Sequence, residues 1–446
     1  MLKNLIFATE INKINKNTLI IHYIFFSIIV AVLSYLYCNL FINRFDNLVD
    51  SNHHIILKNL QFDYGKLSHN IFYNSDFSFI GDDNVLYYLQ KLLFFPILIV
   101  LLAKISSNIF FIFIAKNLIL STVLFYSILT TLKSNKTNLL LFLLLLMPFL
   151  IPYNLHVILT LAFADNIVAV LLPCIFIVLF SNDLKKYYII SIILFILYLT
   201  KSSVSFIVIL LPILILFLEK DEIKYKILPL IASFIAILTW GIYGVVNTGK
   251  FPIGSSLLSY NTKAIYENVL NDEFRKYYPL KSVDLIIKDS MPKELKGDHS
   301  MPINEWDLYD YFKLKNKNYL KYNFKNFIKD IPIKIKFIFF GFRKDSVHPE
   351  NGIFKNPILF SYIVNKLFFN LAIIVSITIL LKKISSLREF KKQKMEIYLI
   401  FIISLSLIPL IVGWATGKHL VAIQIISMIY LIFNIYKFFG KKINLL

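Results

Sequence analysis

Cysteine is almost missing from this chain of 446 residues: Cys38 and Cys174 are the only two, and both fall inside apolar runs. No disulfide framework or cysteine metal site can be built from them. Acidic residues are also scarce, 27 against 47 Lys and Arg, which leaves a formal net charge of +20. Charged residues of either sign make up only 17% of the chain, while 57% is hydrophobic and the mean hydropathy is +0.68. A water-soluble domain of this length could not cover so much apolar surface, so lipid is the expected solvent. In a soluble protein the positive balance would suit nucleic acid. In a membrane protein Lys and Arg sort to the cytoplasmic loops instead, so no nucleic-acid partner is expected. Several chemical motifs are missing as well. There is no Walker loop, dinucleotide fingerprint, His-Glu-x-x-His or nucleophile elbow, which argues against cytosolic nucleotide chemistry and against a metalloprotease. His53 and His54 form an isolated pair that reads as a solvated loop, and no metal or other cofactor is expected.

What the chain does have is long apolar runs. Measured against the ~20 residues that a helix needs to cross a bilayer, ten stand out: 18–42, 110–132, 139–151, 156–180, 187–200, 204–218, 227–246, 358–381, 397–413 and 420–439. The first is too long for a signal-peptide core and should remain as a signal anchor behind the Lys-bearing residues 1–17. The loops test the count. Lys133 and Lys136, then Lys185 and Lys186, then Lys220, Lys224 and Lys226, then the run from Lys382 to Lys394 all fall on the cytoplasmic side of a ten-span chain whose ends are both cytoplasmic. The expected fold is therefore an all-α polytopic membrane protein with about ten transmembrane helices and two extracytoplasmic loops. Residues 1–246 form an N-terminal transmembrane module that includes an outer loop at 43–109. Residues 247–357 form an extracytoplasmic cap, and 358–446 supply the C-terminal transmembrane helices. No repeat is apparent, and no matching pair of interrupted helices points to a transporter.

The outer loops are where chemistry is sought. Asp63 is followed by Tyr64, Leu67, Ile71 and Phe72, a pattern that suits a short amphipathic helix with Asp63 at its first turn. Such a residue is either an N-cap or a general base near the bilayer surface. The stretch 92–104, which contains Pro96, is too short to span and reads as a re-entrant or interfacial helix. Asp165 and Lys201 sit in or between apolar runs, where ionisable groups are costly. They read either as functional groups or as an interfacial ion pair with a snorkelling lysine. Lys418 and His419 open the last run and could neutralise a phosphate or anchor the helix at the interface. Trp306, Tyr309, Phe312, Tyr319, Leu320, Phe324, Phe327 and Ile331 recur near helical spacing with Lys between them. They describe a helix on the membrane surface or on the bundle, or else a lid.

In this order the landmarks resemble the type C integral-membrane glycosyltransferases, in particular the bacterial branch similar to protein O-mannosyltransferases and lipid A sugar transferases. The residues that carry the likeness are Asp63-Tyr64-Gly65-Lys66-Leu67 after the first run, Leu92 to Leu98 with Pro96, Asp165 at the fourth run and Lys201 after the fifth. Trp240, Asn247, Gly249, Phe251 and Ser255 follow at the exit of the seventh run, then Asn323, Phe324, Phe327 and Pro332. The chain departs from the family in giving Asp63 no acidic neighbour, and in offering Lys418 and His419 where many relatives carry Arg. The resemblance implies a bacterial inner-membrane enzyme with a periplasmic site. Its donor would be a polyprenyl-phosphate sugar, and its acceptor a lipid, glycan or protein. Asp63 would be the general base of an inverting transfer, with Lys201, Lys418 and His419 on the lipid phosphate and Tyr64, Asp165 and Asn247 in support. Two other classes compete. A surface-polysaccharide polymerase or ligase would rely on Arg or His in the large outer loop, where Arg44, Arg275 and Arg343 are dispersed. A transporter or flippase would need polar residues along several spans, whereas these runs read as bare Ile, Leu and Phe.

Overall fold

The computed structural model describes residues 16–41, 49–59, 64–80, 85–89, 92–134, 139–160, 164–254, 303–340, 355–383, 392–412 and 417–443. Helix α1 (Lys16–Phe41) leads to α2 (Tyr64–Asn74) and two short strands, β1 (Phe79–Ile80) and β2 (Val85–Tyr87). Then come α3 (Phe94–Ile105), α4 (Ile109–Ser134), α5 (Leu139–Leu150) and α6 (Pro152–Leu159). Three helices of 14 residues follow, α7 (Asp165–Val178), α8 (Lys185–Tyr198) and α9 (Ser205–Leu218), and then α10 (Leu228–Thr248). Strand β3 (Ile303–Asn304) runs into α11 (Glu305–Phe340), ahead of α12 (Lys355–Lys383), α13 (Lys394–Val412) and α14 (Gly417–Ile443).

The chain is an α-helical membrane protein. Among the described residues five helices, α1, α4, α10 with the turn before it, α12 and α14, are long and apolar enough to cross a bilayer, and the bent pair α5–α6 brings the number to six if it is counted as one span. Large apolar side chains along them face outward, including Ile21, Phe25, Phe234, Phe360 and Leu367. A belt of that kind belongs against lipid. Helices α7, α8 and α9 each rise about 21 Å, less than the ~30 Å hydrocarbon core. Every residue of α7 is buried, against α4, α6, α8 and α14. A helix apolar on all sides and enclosed by protein has no lipid thickness to match.

The run 156–180 is not one helix. Its first part belongs to α6, which bends 73° from α5, and Asp165 opens α7 as a separate helix. Pro152 at the start of α6 has no N–H to join the preceding turn. Polar side chains then satisfy the backbone groups that the bend exposes. Asn154 donates to the Pro148 carbonyl at 2.7 Å, Asn365 of α12 donates to Asn154 at 2.6 Å, and the Tyr153 amide donates to Ser361 at 3.0 Å.

A small sheet was not expected from strands of two or three residues. Strand β1 pairs antiparallel with β2 (Phe79 opposite Tyr87), and β2 pairs parallel with β3 (Val85 opposite Ile303). It joins two segments that are more than 200 residues apart in sequence. Buried Glu305, the first residue of α11, accepts the Tyr88 and Leu89 amides at 2.9 and 3.0 Å. This fixes the start of α11 on the segment that follows β2, and the carboxylate favours the helix N-terminus. After α10 the chain reverses at Gly249, whose φ of 72° suits glycine. It then folds back so closely that Phe251 and Pro252 lie where a Cβ of Gly241 or Gly244 would stand. Trp240 donates to the Gly254 carbonyl at 2.7 Å and holds this reversal down.

At the other end of the bundle the helices are tied by buried charge. Glu219, just past α9, accepts from Lys186 of α8 (3.0 Å), Lys394 of α13 (2.9 Å) and the Tyr398 hydroxyl (3.0 Å). Asp221 takes the other side of the Lys186 ammonium at 3.0 Å and the Tyr187 hydroxyl at 2.5 Å. Two lysines thus meet two carboxylates, and the desolvation of each charge is offset by several short contacts. Truncating one member strands the others, which typically costs about 3–5 kcal/mol. Glu219→Ala should lower the unfolding midpoint of the detergent-purified protein clearly. Glu222→Ala, which removes an exposed partner of Lys224, should leave the midpoint where it is.

Candidate functional site

The site is built where two helices end inside the bundle. Helix α6 stops at Leu159, and its last carbonyls have no helical partner. Fully buried Lys116 of α4 donates to three carbonyls there, Ile158 at 3.2 Å, Leu159 at 3.3 Å and Thr160 at 2.7 Å. Asn166 also donates to Thr160, at 2.5 Å. A side-chain donor placed there satisfies carbonyls that the helix leaves without partners, and this matters most where water is excluded. A few residues later α7 starts with Asp165, a carboxylate at the positive end of its own helix.

Asp165 is ion-paired with Lys201, which lies in the tight connection between α8 and α9. Only 9% of the Asp165 side chain and 16% of the Lys201 side chain is exposed. The sequence offered a functional pair or a structural one, and the geometry brings these two residues together. The Phe94 amide, at the start of α3, donates to the Leu199 carbonyl at 2.9 Å and fixes α3 beside this connection. Phe95 packs edge-on to Tyr64, with ring centroids 5.1 Å apart. Tyr64 opens α2 and is within electrostatic reach of Asp165. Burial first, and the Asp165 charge second, push its phenol above the usual tyrosine range. From the reversal after α10, Gly254 approaches so that a Cβ added to it would stand 3.8 Å from the Ser202 side chain. Three further parts of the chain, α2, α3 and the reversal after α10, therefore gather around the elements that carry the Asp165–Lys201 pair.

The other expected residues stand as follows. Asp63 lies outside the described residues, directly before α2. Lys418 and His419 fall in the first turn of α14, and their side chains lie outside the described residues. Helix α14 starts at the same end of the bundle as Asp165, because its later part reaches Glu396 through Tyr430 and Phe180 through Phe433. Asn247 is not drawn into the site. Its amide bonds the Tyr243 carbonyl of its own helix at 2.8 Å, near the surface. Among the described residues no group of three His, Cys, Asp or Glu side chains is arranged to hold a metal ion.

Sequence reasoning missed several buried polar groups. Lys116 and Asn117 on α4, Asn154 on α6, Asn365 and Lys366 on α12 and Gln424 on α14 are all buried, so the apolar runs are not bare. They stand singly or in adjacent pairs within apolar runs, and scanning the spans for polar residues would have found them. Tyr153 was also missed. Its hydroxyl is buried without a hydrogen-bond partner among the described residues, its ring meets Tyr362 edge-on at 4.8 Å, and it lies within electrostatic reach of Asp165. No family model matches this chain, and no curated protein or solved structure matches it either.

The pair can be tested by a double-mutant cycle. Lys201→Met leaves a buried carboxylate uncompensated and should cost about 3 kcal/mol, as should Asp165→Asn. The double variant should lose less than the sum, with a coupling of about 1 kcal/mol or more in thermal unfolding.

Proposed function

We propose that this chain is an integral-membrane glycosyltransferase of the type C kind. It would move a sugar from a polyprenyl-phosphate donor to a lipid, glycan or protein acceptor at the periplasmic face of a bacterial inner membrane. One observation carries the proposal: Tyr64, the residue directly after Asp63, packs on Phe95 of α3, and α3 is bonded at Phe94 to the connection that holds the buried Asp165–Lys201 pair. The Lys-rich connections that carry Lys185, Lys224 and Lys394 lie at the opposite end. Positive-inside sorting then puts the Asp165 end outside. In this reading all ten apolar segments traverse the membrane, α7 to α9 within the bundle, and both chain ends are cytoplasmic.

The chemistry follows from what each group can do. The Asp63 carboxylate takes the proton of the acceptor hydroxyl as its oxygen bonds to the anomeric carbon. The bond from that carbon to the phosphate oxygen breaks, and the phosphate leaves with the electron pair. Attack opposite the leaving group inverts the anomeric centre. Cations set in place beforehand stabilise the departing phosphate at no cost of reorganisation. Lys201 is held by Asp165 for that role, and Lys418 and His419 open α14 at the same end. The donor already carries its activating phosphate, so no nucleotide or cofactor is required.

A transporter or flippase is the second reading, favoured by the buried polar residues on α4, α6, α12 and α14. Against it, Lys116 and Lys366 are spent on backbone carbonyls, Lys366 on Ile338 at 2.8 Å, and do not line a path. Asp63→Asn should lower sugar transfer in membranes from an expressing strain about 10²- to 10⁴-fold without loss of folded protein. Full activity would remove the proposed base, and lipid movement that survives without transfer would favour the second reading. A reporter fused at Lys391 should report the cytoplasm; a periplasmic signal would overturn the orientation.

A further inference from the structure

Helix α11 is 36 residues long, about 54 Å at 1.5 Å per residue. Only its ends are held among the described contacts. At the start, Glu305 is fixed to the sheet, Lys250 pairs with Asp310 at 2.8 Å, and the same ammonium lies 5.0 Å from the Trp306 ring. At the finish, Lys366 and Asn370 of α12 donate to the Ile338 and Phe339 carbonyls at 2.8 and 3.2 Å, and Phe339 stacks on Phe369. That docking point is beside the outward-facing Leu367, Phe368 and Leu371 of α12. The helix therefore runs from the polar cap into the apolar belt.

Between these anchors one side of α11 is exposed and mixed in character. Lys313, Lys317, Lys321 and Lys325 recur every fourth residue, and all four are exposed. A residue advances 100° around the helix axis, so a step of four drifts only 40° and the lysines form a shallow stripe. Leu314, Tyr322, Phe324 and Ile328 are exposed on the same half of the helix. Lys321 lies 5.4 Å from the Tyr322 ring, and none of the four lysines is ion-paired with a described carboxylate. Between Lys313 and Lys336 the sequence has a single acidic residue, Asp330. Ammonium groups on long stems interleaved with aromatic and aliphatic side chains suit the headgroup layer, where stems lie in the apolar boundary and charges reach phosphate.

We infer that the Lys313–Lys317–Lys321–Lys325 face of α11 docks on anionic phospholipid headgroups of the outer leaflet, and that lipid charge thereby holds α11 in place over the site end of the bundle. The occupant is a bilayer bearing net negative charge, and the argument is charge complementarity together with continuity from the α12 belt. It takes the side of the membrane from the orientation proposed above, and it stands or falls independently of sugar transfer.

The test uses the full chain in nanodiscs of phosphatidylcholine alone, or with about one third phosphatidylglycerol, read by hydrogen exchange of α11. Each lysine near an anionic surface is worth about fivefold, so four should slow exchange over 313–336 by tenfold or more. The slowing should vanish in the variant with all four lysines changed to Gln, and at about 1 M salt, where the Debye length is ~3 Å. Unchanged exchange on adding phosphatidylglycerol would overturn the inference. So would equal slowing in the variant, slowing by inorganic phosphate over phosphatidylcholine, or slowing by a sugar-bearing polyprenyl phosphate only, which would make α11 a substrate lid. Exchange in α7, which the substitutions do not touch, reports that the variant is folded.

Discussion

A helix that stops inside an apolar bundle leaves backbone groups that no water can reach. Between α6 and α7 this happens twice within a few residues, once with terminal carbonyls and once with terminal amides. The first set is met by the Lys116 amine. The second opens with Asp165 in its first turn, a carboxylate whose charge needs Lys201. A buried charge is stable only when another group compensates it, so placing one helix end obliges the chain to bring a cation from a distant element. Helices α4, α7 and the α8–α9 connection are held together by that requirement. The polar site and the architecture of the bundle are therefore one arrangement.

The two ends of the bundle handle charge differently. Around Glu219 two lysines, two carboxylates and two tyrosine hydroxyls are arranged so that each charge has partners of opposite sign or a hydroxyl. A balanced cluster of this kind fastens α8, α9 and α13 and has no charge left for a ligand. Around Asp165 the surroundings are aromatic and converge from separate segments, with Tyr64 and Phe95 on one side and the reversal at Gly254 on another. Parts drawn from several loops over a rigid base are the usual construction of a binding site. The sheet and Glu305 hold the segment 79–89 to the start of α11, although neither carries a strand long enough to be stable alone.

Much of the helical layout could be read from the chain because lipid enforces a simple rule: apolar length and lysine placement follow the membrane. The apolar runs and the short helices after Asp63 and around Pro96 are visible in this way. The break near Pro152 is visible too, since one run ends at 151 and the next begins at 156; the division of 156–180 into α6 and α7 is not, because apolar residues continue across it. The strands are equally hidden, since two residues carry no alternation. Lys116 was overlooked for a different reason. One lysine in an apolar run reads as noise until the α6 carbonyls that it satisfies are known to lie beside it.

Composition and pattern alone determined that the chain lives in lipid, that most of it is helix, and which few charged residues stand where charge is expensive. Those properties follow from the transfer cost of single side chains, which depends on each residue and its neighbours in sequence. Which charge compensates which was decided only in three dimensions. Asp165 finds Lys201, Glu219 finds Lys394, and Glu305 finds the amides of Tyr88 and Leu89 across separations of 36, 175 and more than 200 residues. Electrostatic compensation acts through a few ångströms of space and is indifferent to distance along the chain. The partners of a buried charge are therefore a property of the fold.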